Sequence, residues 1–214
     1  LLPYMEPDPY SETIPGQRYQ VYSLYYDSPA FYYYQQKLDG VERRKKIRLR
    51  TYRHASSHSD HIFFEVKRKI DTVILKDRFL MTTGQYQELQ REERFLTDDG
   101  DQNRVNLIAE FEIERQLRSI TPKILVRYER EPYLGKFNQN MRVTFDRHIE
   151  AMENDNLFYA GHDWADVLPA GAIMELATAF PGNTGVRPKS ITTLAEILRQ
   201  NGYSTAAFGK YHET

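Results

Sequence analysis

Basic residues at alternating positions of extended segments are the side chains of this sequence with the clearest chemical capability. Residues 42–53, ERRKKIRLRTYR, include seven basic residues and one acid. Further cations follow in the segments FFEVKRK and VILKDRF. Arginine offers paired donors that match a phosphate group, and lysine adds a point charge. The pattern therefore indicates a binding site for a phosphate-rich anion.

The overall composition limits the class of protein. The 214 residues balance 29 Lys+Arg against 30 Asp+Glu, so clusters within a near-neutral chain indicate a local anion site. The absence of cysteine excludes disulfides, thiolate metal sites and cysteine nucleophiles. No apolar run reaches the roughly 18 residues that a membrane-spanning helix needs. No secretory signal is visible, so we expect a cytoplasmic location.

The segments that carry the cations have the composition of strands. Alternating apolar residues and turn signals predict an α+β protein built on an antiparallel sheet. The predicted strands are residues 19–26, 45–52, 62–70, 73–81, 124–131, 141–149 and 172–176. The predicted helices are residues 30–38, 83–93 and 103–117. Strands 62–70 and 73–81 are predicted to form a hairpin.

Alternation divides each strand into an apolar face and a cationic face, because neighbouring side chains point to opposite sides. In the first basic strand, one face carries Lys46, Arg48 and Arg50, and the other face carries Ile47 and Leu49. Two architectures fit this pattern. An open sheet would turn the cations to water, whereas a closed barrel would crowd them in a lumen. Crowded cations repel one another and lower lysine pKa values unless an anion binds.

Several separated motifs, listed here in chain order, resemble those of the vacuolar transporter chaperone (VTC) domain of polyphosphate polymerases, within the triphosphate tunnel metalloenzyme superfamily. These motifs are YQVYSLYYDSPAFYYYQQKLDGVERRKKIRLRTY, FFEVKRK, VILKDRF, ILVRYEREPYLGKF and MRVTFDRHI. The resemblance covers roughly residues 1–176. It implies an antiparallel β-barrel tunnel with flanking helices that makes polyphosphate from ATP, with Mn²⁺ or Mg²⁺ as cofactor.

The resemblance also assigns roles to individual residues. It implies that phosphate chemistry is carried by Arg48, Arg50, Lys67, Lys76 and Arg130. The further substrate-binding residues are Lys46, Lys69, Arg78, Tyr128 and Arg142. The metal ligands are Glu175 and Glu65. No glycine-rich G-x-x-x-x-G-K-[ST] loop is present, which argues against a P-loop enzyme.

The two ends of the sequence depart from the VTC pattern. We expect the barrel to be incomplete, since the first strand of the family and its last strand with a further lysine are missing. We therefore predict a tunnel domain at residues 1–176 and a separate segment at 177–214. Residues 180–212 resemble a piece of an arylsulfatase, including Lys210 and His212. The formylglycine motif of sulfatases is absent, so we expect no sulfatase activity.

Other functions remain open at the level of sequence. The same site could hydrolyse inorganic or nucleoside triphosphates, or bind polyphosphate or nucleotides without catalysis. Nucleic-acid binding by an open basic sheet with stacking tyrosines is the least favoured alternative, because acids are interleaved with the cations. The sequence does not fix the oligomeric state.

Overall fold

The computed structural model describes residues 3–53, 61–71, 73–95, 101–169 and 171–178. These residues belong to one unit, Leu1–Ala179. The sulfatase-like segment lies outside the described residues. The proposed domain boundary after residue 176 stays a prediction.

The described strands form one sheet in which every pairing is antiparallel, as the sequence predicts. Their order is β5-β4-β3-β2-β6-β7-β8, with β1 paired to β6 and β9 paired to β7. The strands are β1 (Met5–Pro7), β2 (Tyr19–Asp27), β3 (Arg43–Arg53), β4 (Ile62–Ile70), β5 (Val73–Met81), β6 (Thr121–Gly135), β7 (Met141–Glu153), β8 (Ala165–Asp166) and β9 (Ala172–Thr178).

The sheet is open in the part of the chain that the structure describes, so the expectation of a closed barrel is corrected. No described pairing joins β5 to β8 or β9. Closure would require a strand that pairs with β5 and with the far end of the sheet, and β8 has only two residues. The expectation that the barrel would be incomplete agrees with this open edge.

Four α-helices lie among the described residues, and three of them were predicted. They are α1 (Pro9–Glu12), α2 (Tyr32–Leu38), α3 (Thr83–Glu92) and α4 (Gln102–Arg118). Helix α2 begins two residues later than predicted, because Phe31 adopts a left-handed conformation with φ 54°. The Asp27 carboxylate accepts hydrogen bonds from the backbone N–H groups of Tyr33 (2.9 Å) and Tyr34 (3.1 Å) and fixes the start of the helix.

The main core forms on the apolar face of the sheet. Ile47, Leu49 and Phe64 are fully buried there and belong to one cluster with residues of α4. The rings of Phe64 and Phe111 meet edge to face at 5.5 Å between centroids. Burial of this face leaves most of the cations of β3, β4 and β5 on the opposite face.

Helix α3 begins with a threonine cap. The Thr82 hydroxyl accepts from the Gln85 backbone N–H at 3.2 Å, and the Gln85 side chain accepts from the Thr82 N–H at 3.0 Å. We expect Thr82→Ala to lower the free energy of unfolding by about 1 kcal/mol, because one helix donor loses its partner. Urea denaturation should show this loss. Thr13→Ala, which removes another exposed threonine hydroxyl, should change stability less; an equal loss would contradict the capping role.

Candidate functional site

Three lysines lie side by side across neighbouring strands of the cationic face. Lys46 of β3 is directly opposite Lys67 of β4, and Lys67 is directly opposite Lys76 of β5. Among the described residues, no carboxylate lies within ion-pairing distance of Lys46 or Lys67. Like charges in direct cross-strand register destabilise a sheet. The row therefore costs the sheet stability when no anion is bound.

One buried carboxylate lies beside this row. Glu65 is 1% exposed and stands between Arg48 and Arg78 in the strand register. Its Oε2 lies 2.7 Å from Arg48 Nη2, and its Oε1 lies 2.9 Å from Lys76 Nζ. Arg50 and Arg78 each approach it to 4.0 Å. Burial alone would raise its pKa, but Arg48, Arg50 and Lys76 lower the pKa of Glu65 to about 2.

A single acid cannot neutralise this face. On β3, β4 and β5 the face carries Glu65 as its one acid, set among eight cations in the described part of the chain. These cations are Arg44, Lys46, Arg48, Arg50, Lys67, Lys69, Lys76 and Arg78. The excess positive charge is therefore a property of the face and not of one side chain.

The opposite face of the same strands is electrically compensated. Lys45 Nζ lies 2.8 Å from Glu110 and 2.7 Å from Glu114, both on α4. Arg68 forms ion pairs with Asp77 and Glu110. Lys45 and Arg68 thus serve to dock α4, whereas Lys46 and Lys67 on the other face have no such acidic partner among the described residues.

The two central arginines are held rigidly by neighbours on β2 and β6. Arg48 Nη1 donates to the Tyr25 hydroxyl at 2.9 Å, and its Nε donates to Glu65 at 2.8 Å. Arg50 donates to Ser23 Oγ and to the Tyr128 hydroxyl, each at 3.1 Å. A guanidinium fixed in this way loses little entropy when an anion binds.

A second group of charges continues the site onto β6, β7 and β9. Arg130 lies over the Tyr128 ring with 5.3 Å between its Cζ and the ring centroid. Its Nε and Nη2 each donate to an oxygen of Asp146 at 2.7 Å, and Nη2 also donates to Glu175 at 3.3 Å. Tyr128 thus links this group to Arg50.

The predicted substrate-binding residues differ in how they are placed relative to the lysine row. Lys69 is on the cationic face, opposite Ile74, one step beyond the lysine row. Arg142 instead forms an ion pair with Asp8, with 3.1 Å between Nη2 and Oδ2. Arg142 shares its face of β7 with Asp146, so the structure brings the predicted cations onto one face but engages Arg142 with Asp8.

Two pKa shifts report the local excess of positive charge. Desolvation lowers the pKa of Lys46, and Lys37, Lys67 and Arg48 lower it further. For Tyr25, burial alone would raise the pKa, but Arg48, Arg50 and Lys46 together bring it below its ordinary value. Both directions match a site that favours negative charge.

The two predicted metal ligands differ in how well they fit a divalent cation. Glu65 is engaged by Arg48 and Lys76 and approached by two more cations, and these surroundings do not fit a metal at that carboxylate. Glu175 is 61% exposed, with one ion pair at 3.3 Å among the described residues. It can contribute one oxygen ligand beside substrate phosphates. No described group of three or more His, Asp or Glu side chains forms a ready metal site.

Sequence reasoning missed the residues that orient the arginines. Ser23 and Tyr25 lie on β2, opposite Arg50 and Arg48 in register. The alternation of side chains along β2 could have identified Ser23 and Tyr25, because it places residues 19, 21, 23 and 25 on one face of the strand. Asp146, the partner of Arg130, was also missed.

The family model described as the VTC domain matches residues 1–214. A candidate adenylate cyclase from Bacillus halodurans is 12% identical, with a TM-score of 0.53 over 93% of this chain and 83% of that chain. The PH1819 protein from Pyrococcus horikoshii OT3 is 14% identical, with a TM-score of 0.44 over 94% and 89%. The first of these shows a shared fold.

No curated protein matches this sequence. Within the described residues, no helix combines the length and the apolar character needed to cross a membrane.

Proposed function

This chain belongs to the VTC domain family, and from that premise we propose that it is a polyphosphate polymerase domain. In this proposal it transfers the γ-phosphoryl group of ATP to the end of a growing polyphosphate chain. The reaction depends on a divalent metal, Mn²⁺ or Mg²⁺.

The lysine row carries the proposal. Lys46, Lys67 and Lys76 stand in direct cross-strand register, and Glu65 is the one acid on their face of β3, β4 and β5 in the described part of the chain. Phosphates arranged in a linear polyanion would meet a cation on each successive strand. A single isolated phosphate would not need charges spread over three strands.

The proposed phosphoryl transfer needs no covalent intermediate with the protein. A terminal phosphate oxygen of the acceptor chain forms a bond to the γ-phosphorus of ATP, and the bond from that phosphorus to the β,γ-bridging oxygen breaks, which releases ADP. The acceptor oxygen is already ionised at neutral pH, so no side-chain base is required. Catalysis then rests on alignment and on stabilisation of charge by Arg48, Arg50 and their neighbours.

Glu175 is the residue that we assign to the metal. A bound divalent cation would neutralise charge on the transferring phosphoryl group and orient its oxygens. Mg²⁺ and Mn²⁺ are commonly held by one or two carboxylates together with substrate phosphates, and the exposed Glu175 carboxylate beside Arg130 suits this arrangement.

The direct test incubates the purified chain with ATP and Mn²⁺. We expect a phosphate polymer linked by phosphoanhydride bonds, together with one ADP per phosphate added. Release of orthophosphate without polymer would favour the alternative, a triphosphate hydrolase at the same site. Tight binding of tripolyphosphate with neither product would leave a binding module, and absence of binding would overturn the proposal.

Glu175→Gln tests the metal assignment. We expect the Mn²⁺ concentration that half-saturates activity to rise about tenfold, since one charged ligand is lost. Binding of tripolyphosphate without metal, followed by calorimetry, should stay within a factor of two. Glu153→Gln, which removes an exposed acid of β7, is the matched control. An unchanged metal requirement in Glu175→Gln would exclude Glu175 as a ligand.

A further inference from the structure

A cavity of about 430 Å³ opens where β2 ends and α2 begins. Both aromatic rings and lysines line this cavity. Binding of phosphate groups alone does not require the aromatic rings. Its lining includes Tyr25, Phe31, Tyr34, Lys37, Lys46 and Lys123.

The cavity is continuous with the cationic face. Lys46 lines the cavity and also begins the lysine row. Tyr25 lines it as well, and its hydroxyl accepts a hydrogen bond from Arg48 at 2.9 Å. A ligand that extends from the arginines past Lys46 would therefore enter this cavity next.

The segment that presents the aromatic rings is held in a fixed conformation. Phe31 has φ 54° and ψ 47°, a left-handed conformation that is unfavourable for a side chain of this size. The Asp27 carboxylate accepts from the backbone N–H groups of Ser28 (2.8 Å), Tyr33 (2.9 Å) and Tyr34 (3.1 Å). Strain retained by such a network is typical of functional segments.

We infer that this cavity receives the nucleoside of a nucleoside triphosphate whose phosphates lie along the cationic face. This inference rests on the proposed function. It identifies the part of the protein that distinguishes a nucleotide from a bare polyphosphate. The aromatic rings of Tyr34 and Phe31 supply faces on which a base stacks. Lys37, Lys46 and Lys123 attract the adjacent phosphates. A bare polyphosphate would gain nothing from the rings.

Two variants remove the rings in different ways. Tyr34→Ala removes an exposed ring from α2. Phe31→Gly removes a ring at a left-handed position, where glycine is unstrained, so the variant should fold at least as well as the parent. Tyr32→Ala is the control, since Tyr32 lies on the same helix, does not line the cavity, and instead lies under Arg118 at 4.6 Å.

The experiment measures the affinities for ATP and for inorganic tripolyphosphate by calorimetry. We expect Tyr34→Ala and Phe31→Gly each to weaken ATP binding about tenfold and to leave tripolyphosphate binding within a factor of two. Tyr34→Trp should retain the affinity for ATP. Tyr32→Ala should change neither affinity.

The outcomes separate this inference from the proposed function. If the parent chain binds tripolyphosphate but the ring variants leave ATP affinity unchanged, the nucleoside site is wrong and the phosphate site stands. The same holds if ATP and tripolyphosphate affinities fall equally, because the rings would then not distinguish the nucleoside. If the parent binds neither compound, the proposed function fails and this inference fails with it.

Discussion

Arg48→Ala is expected to weaken binding of inorganic tripolyphosphate on the order of 100-fold. Arg48 uses three of its donors on Glu65 and Tyr25, which leaves one N–H on each terminal nitrogen to face an anion. Two hydrogen bonds to a charged group contribute about 3 kcal/mol together, which corresponds to this loss. Calorimetric titration at fixed ionic strength measures the effect.

Arg127→Ala is the matched control for Arg48→Ala. Arg127 forms a two-point ion pair with Glu150 at 2.6 and 3.1 Å and packs against Trp164, beside the core cluster rather than the cationic face. Its removal should leave tripolyphosphate affinity within a factor of two. If both variants bind tripolyphosphate as tightly as the parent, the cationic face is not the anion site.

Glu65→Gln is expected to lower the free energy of unfolding by about 3 kcal/mol at pH 7. The change leaves Arg48 and Lys76 without their buried partner and adds to the repulsion among the cations of this face. Denaturant unfolding measures the loss. Glu150→Gln, which breaks a half-exposed ion pair on the other face, should cost about 1 kcal/mol or less.

The same variant should bind tripolyphosphate more tightly than the parent, because an acid leaves a site for a polyanion. Saturating tripolyphosphate should therefore raise the melting temperature more in Glu65→Gln than in the parent. If Glu65 held a metal, Mn²⁺ alone would stabilise the parent and not the variant. That result, or weaker polyanion binding by the variant, would contradict the counter-ion role.

Acid titration gives an independent test of Glu65. Its pKa is about 2 in the folded chain against 4.5 for an ordinary glutamate. Because the folded value is the lower one, the stabilisation is complete above about pH 4.5 and is lost as the pH falls towards 2. The difference in stability between the parent and Glu65→Gln should shrink over this window by roughly 3 kcal/mol. A constant difference would exclude the ionised carboxylate as its source.

The two-faced strands could be predicted from sequence, because alternation is a local property. The hairpin of β4 and β5 falls at residues 62–70 and 73–81, as predicted. The alternation of Ile47 and Leu49 with Arg48 fixed which side faces the core. The span of α4, Gln102–Arg118, was also predicted to within one residue at each end.

Charge compensation could not be predicted, because it depends on partners far away in the chain. Lys45 and Lys46 are adjacent and identical in type, yet Lys45 pairs with Glu114, 69 residues away, and Lys46 meets Lys67. Helix α4 packs on only one side of the sheet, so its acids neutralise Lys45 and do not reach Lys46. The sequence gives no measure of that difference.

The residue types and their alternation by themselves determined that a cationic face exists. The register of the strands decided that three lysines stand in one row, that Glu65 serves four cations, and that the sheet stays open at β5 within the described residues. Register is set by turns and core packing across the whole sheet, so a local pattern cannot specify which side chains meet.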